Sequence, residues 1–88
     1  MDKVTFKAIV EAIVSGFEDP EFKRRFEQAR ASENISEIMA LPAEIQARAF
    51  GAQGLDPATG VSAFKEAGAR FGADDDIAPL LGRMKAAL

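Results

Sequence analysis

The sequence predicts an all-α fold: one domain over residues 1–88, a compact bundle of about five short helices. Three observations carry this. Apolar residues recur three and four apart along nearly the whole chain, and no stretch alternates with the period of two that a half-buried strand requires. Asp-Pro, Asn and Gly breaks punctuate the pattern at short intervals, with no linker, repeat or low-complexity tract between them.

Phe6, Ile9, Val10, Ile13, Val14 and Phe17 lie on one helical face about 140° wide, with Lys7, Glu11 and Ser15 opposite. They predict an amphipathic helix over residues 3–17. In "EDPEF", Asp19 suits the N-cap of a second helix, Pro20 its first position and Glu21 its positive first turn. That helix turns Phe22, Phe26 and Ala29 inward. Ile35 and Ile38 would miss this face if the helix continued, so a break falls at Ser32–Asn34, where Asn34 and Glu37 imitate a capping box.

Ile38, Leu41, Ile45, Ala49 and Ala52 form the next stripe, which runs straight through Pro42. Pro42 either opens a new helix or kinks a longer one. The aversion of a residue before proline to the α region favours a new helix. Gly54 and Leu55 read as a glycine helix stop with its hydrophobic partner, and "DPATG" (56–60) as a turn. Val61, Phe64, Gly68 and Phe71 then define the inward face of a helix that Gly72 ends. Ile77, Leu80, Leu81, Met84 and Leu88 make a last stripe, with Pro79 in the first turn, where its missing N–H does little harm.

Composition excludes several functions. Eleven basic and fourteen acidic residues leave a net charge of −3 without a broad positive field, so neither nucleic acid nor a membrane surface is an expected partner. Cys and His are both absent, so there is no disulfide framework and no Ser–His or Cys–His couple. Lys7, Glu11 and Ser15 interrupt the first apolar stretch, which is neither a signal peptide nor a membrane span. The expected location is the cytoplasm, with the nucleus as a further compartment.

Local motifs are best explained structurally. "SAFK" (62–65) matches S-x-x-K, but its companion motifs are missing. "GAQG" (51–54) resembles a GXXG clamp without the sheet or the basic residue that such a clamp uses. In "KRRFEQAR", Lys23, Arg24, Arg25 and Arg30 spread around the helix cylinder rather than along one side. The run Asp74, Asp75, Asp76 raises three readings: a metal site, a docking patch and a helix start. Consecutive acids lack the alternate spacing of a calcium loop. A helix N-terminus favours acids and can be capped by one, which is the preferred reading. No catalytic residue, metal or cofactor is expected, and the chain is read as not an enzyme.

The C-terminal stretch leans towards partner binding. Ala78, Gly82, Ala86 and Ala87 would let another helix approach closely. The expected contact surface is Leu81, Met84 and Leu88 with an acidic rim of Asp74, Asp75 and Asp76. A protein partner is expected first. A homodimer, or homo-oligomeric structural protein, comes second, and a small ligand-binding or catalytic protein using carboxylates and Lys65 third.

"LPAEIQ" (41–46), "GVSAF" (60–64) and "DDDIAPLLGRMKAA" (74–87), preceded by "EQAR" (27–30), together resemble the small eukaryotic protein C-ten family. In the last segment Asp74, Ile77, Ala78, Leu80, Gly82, Lys85 and Ala86 match the family's spacing. The likeness covers residues 17–86 with two short gaps, and none of its segments is a catalytic signature. The resemblance implies a small intracellular protein without known enzymatic activity, with roles in signalling and development. It brings no binding residues to carry over.

Overall fold

A computed structural model describes residues 1–87, so Leu88 lies outside the described residues. Five helices follow one another: α1 (Lys3–Glu18), α2 (Pro20–Ala31), α3 (Ile35–Ala52), α4 (Pro57–Phe71) and α5 (Ala78–Ala86). No strand occurs among the described residues.

α1 is the central element and packs against all four others. The six residues of its expected apolar face are all buried, and they divide into two rows. Ile9, Ile13 and Phe17 join Phe22, Phe26 and Ala29 of α2 and Leu41, Ile45, Ala49 and Phe50 of α3. Phe6, Val10 and Val14 join Ala67 of α4 and Ile77. The wide apolar face of α1 therefore serves two layers, one on each flank. Phenylalanine rings line the first layer and join it to the second. Phe17, Phe22 and Phe26 stack in series at 5.3 and 5.5 Å, and Phe64 lies 5.0 Å from Phe6 and 5.7 Å from Phe50.

Helix boundaries follow their capping chemistry. Asp2 caps α1, accepting the Thr5 N–H at 2.8 Å. Asp19 caps α2, accepting from the Glu21 and Phe22 N–H groups, with Pro20 at the first position. Asn34 accepts the Glu37 N–H at 3.3 Å and starts α3. Two Schellman closures end α2 and α3. At the end of α3, Gly54 adopts φ +72° while Leu55 N–H reaches Phe50 O and Gly54 N–H reaches Gly51 O. At the end of α2, the same bonds run from Asn34 to Ala29 and from Glu33 to Arg30, with Glu33 held at φ +56°.

Three local expectations are corrected. Pro42 does not open a helix but lies inside α3. A proline inside a helix costs about 3 kcal/mol or more. A continuous helix keeps Leu41 and Ile45 on the buried stripe, and each is worth about 2 kcal/mol there, enough to offset that cost. "DPATG" is not a turn but the first turn of α4, with Asp56 accepting the Ala58 N–H at 2.8 Å and Pro57 at the first position. This shifts the inward face of α4. Gly60 is buried against the Phe50 ring and Ala67 is buried, while Val61 stays 39% exposed. Ala52, placed on the α3 stripe by its spacing, is exposed because α3 ends there.

Candidate interaction surfaces

Each expected contact residue has a definite place. Asp74, Asp75 and Asp76 lie in the turn between α4 and α5, and no aspartate caps α5. The N-cap position belongs to Ile77, which is fully buried, and no side chain closes that helix end. The acids turn towards α1 instead. Lys3 Nζ lies 3.1 Å from Asp74 and 3.0 Å from Asp76, and Lys7 Nζ lies 3.4 Å from Asp76. The preferred reading of this run as a capped helix start therefore gives way to a tertiary one: lysines of α1 hold Asp74 and Asp76. Asp74 still closes the turn through its backbone, where its carbonyl accepts the Ile77 and Ala78 N–H groups.

Leu81 and Met84 are half-buried. Leu81 packs on the Phe6–Val10–Val14 row, and Met84 reaches both rows. Leu88 lies outside the described residues. Ala78, Gly82 and Ala86 are exposed, and nothing stands within 4 Å of a Cβ placed on Gly82.

At the far end of α5, Arg83 clamps Glu18 of α1 through two bonds, with Nη2 donating at 2.6 Å and Nε at 3.2 Å. The clamp holds the Glu18 carboxyl below its usual range and raises the Arg83 guanidinium. Likewise the Lys3 ammonium beside Asp76 lowers that carboxyl and is itself raised. All these groups lie at the surface, where such pairs are individually weak.

Among the described residues no polar or charged side chain is buried, and no three acids, His or Cys gather as a metal group would. Ser62 and Lys65 of the S-x-x-K match are both exposed. "GAQG" forms the Schellman end of α3. Arg30 stands 5.5 Å over the Phe26 ring. A cleft of about 290 Å³ lies where α1, α2 and α3 meet, floored by Phe22, Leu41 and Ile45. Its charged residues (Asp19, Glu21, Arg25, Glu44, Arg48) are exposed rim groups of both signs. No described helix is long and apolar enough to cross a membrane.

The surface feature that sequence reasoning missed is on α3. Ile35 is 68% and Met39 71% exposed, one helical turn apart. Ala43, one turn further, is also exposed. On an ideal helix these three span about 80°, and Pro42 with Gln46 brings the face to about 100°; none of the five carries a charge. At the other end of α3 the same side is covered, because Phe50 packs against α4. The signal was present: Ile35 and Met39 are four apart and lie off the Ile38–Leu41–Ile45 stripe. Val4 of α1 is also left outside, 80% exposed.

No family model matches this chain, and no curated protein or solved structure matches it significantly.

Proposed function

We propose that this chain is a non-enzymatic helical module that binds a protein partner through the outer face of α3. The supporting observation is the pair Ile35 and Met39, exposed one turn apart on a charge-free face of α3. Large apolar side chains grouped in this way mark contact surfaces, and a helix presenting positions i and i+4 suits helix-on-helix packing or a groove. The partner would bring an apolar helix or groove to it. The C-ten resemblance points the same way, towards an adaptor working in the cytoplasm or nucleus. The C-terminal face of Leu81 and Met84 is the alternative contact surface.

The test is capture from cell extract by the tagged chain and by the double variant Ile35→Ser, Met39→Ser. Both residues are exposed, so the fold should survive with stability changed by about 0.5 kcal/mol or less per site. The proposal is supported by a protein that the wild type holds, the variant loses and the purified chain binds directly. Identical captured sets would rule out this face.

A further inference from the structure

α5 is attached unlike the other helices. Among the described residues its backbone comes close to that of α1 only, whereas the backbones of α2, α3 and α4 each approach at least two other helices. No residue within Ala78–Ala86 is buried; Leu80, Leu81 and Met84 are half-buried, and Ile77 just ahead of the helix is the one fully buried anchor. Its N-terminus has no side-chain cap, since the acids that could supply one face α1. Surface ion pairs hold both of its ends, to Lys3 and Lys7 at one and to Glu18 at the other. Segments with few buried contacts and surface anchors are the ones that open first.

The seat that α5 occupies does not tolerate being empty. Phe6, Val10 and Val14 of α1 form its apolar floor, flanked by Lys3 and Lys7 before and Glu18 behind. An opened chain would place this floor in water. The segment that matches the seat in order of charge and apolar spacing is Asp74–Met84: acids, then Ile77, Leu80 and Leu81, then Arg83. Every copy of the chain carries that segment, and each contact made within one copy can be made identically between two.

We infer that α5 is an exchangeable strap, and that the α1 seat accepts α5 of a second copy to form a reciprocal dimer. The Gly72–Asp76 connection is the hinge. Exchange adds no contact and loses none outside the hinge, so concentration and hinge conformation decide between monomer and dimer. Lengthening the connection favours the monomer.

The charges supply a direct test. Arg83→Glu places two acids at the clamp within one chain, and Glu18→Arg places two arginines there. Each variant alone opposes its own closure and its own homodimer. When mixed, α5 of each finds the opposite charge on α1 of the other, which restores both clamps. Sedimentation of the variants at micromolar concentration, alone and mixed, should show a heterodimer exceeding either homodimer about tenfold. Mixed variants that both keep their helical spectrum and stay at monomer mass would overturn the inference.

Single cysteines decide the matter if a charge variant fails to fold, since the natural chain has no thiol. Glu18→Cys and Arg83→Cys, mixed and oxidised, should give the crossed disulfide well above its statistical share. A statistical mixture, or no cross-link where the double-cysteine chain closes on itself, refutes the exchange. The α3 variant Ile35→Ser, Met39→Ser should leave the exchange unchanged, so this inference and the partner-docking reading fail separately.

Discussion

Gly16 and Gly51 both sit inside helices, yet replacing each by alanine should move stability in opposite directions. Alanine is favoured over glycine in a helix by about 1 kcal/mol. At Gly51 a Cβ would meet nothing within 4 Å, so the gain is realised, at about 0.5 kcal/mol or slightly more given its place in the last turn. At Gly16 a Cβ would stand 2.7 Å from Ile45 Cγ2, with two further Ile45 carbons at 3.2 and 3.3 Å. Ordinary contact requires the methyl to retreat by about 0.7 Å. Ile45 is only 5% exposed and belongs to the larger core cluster, so it cannot move without disturbing neighbours. Overpacking of this kind costs about 1–3 kcal/mol, which equals or exceeds the propensity gain. Gly16→Ala should therefore lose up to about 2 kcal/mol, and Gly51→Ala should gain. For a domain of this size each kcal/mol shifts the melting temperature by about 4–8 °C. Urea and thermal unfolding followed by helical circular dichroism would resolve the pair. Should Gly16→Ala melt at or above Gly51→Ala, the close approach of α1 and α3 at Ile45 is not real.

Glu33→Gly should stabilise the chain by about 0.5–1 kcal/mol. It relieves a non-glycine φ of +56° costing about 1–2 kcal/mol and gives back part of that as unfolded-chain entropy; a lower urea midpoint would contradict this. Phe6→Ala, which empties the seat between α1, α4 and α5, should cost about 3–5 kcal/mol, and a loss under about 1 kcal/mol in the same assay would mean that Phe6 is not central. Acid should weaken the fold through Glu18 and Asp76. Their folded-state values are depressed, by Arg83 and Lys3 respectively, so their contribution is present above the usual carboxylate range and lost as pH falls through the lower folded values. Lys3 and Arg83 are raised, so theirs is intact below the ordinary lysine range and lost only in strong alkali. Melting temperature should hold level from about pH 5.5 to 9.5, and Glu18→Gln with Asp76→Asn should flatten the acid limb; an unchanged limb would show that the pairs do not form in solution.

Local chemistry made much of this fold legible. The six inward residues of α1, the Asp19–Pro20 start of α2, the Asn34 cap and the Gly54 stop all depend on neighbours within about one or two turns, and all stand where the sequence places them. Asp56–Pro57 carries the same start signal as Asp19–Pro20. The composition of the whole five-residue stretch is that of a turn, but Gly60 is there to admit the Phe50 ring, a contact with another helix. Pro42 reflects the same conflict, between a local penalty and burial gained across the bundle.

What this sequence determined by itself is the set of helices, their caps and the greasy side of α1, since spacing and capping act over a few residues. Only the tertiary structure decided the rest: that α1 serves two layers, that Asp74 and Asp76 bind Lys3 and Lys7 instead of capping α5, and that Ile35 and Met39 are left uncovered. Those outcomes join residues far apart in the chain, where many pairings satisfy the same local pattern. The choice among them is made by which surfaces can be excluded from water together.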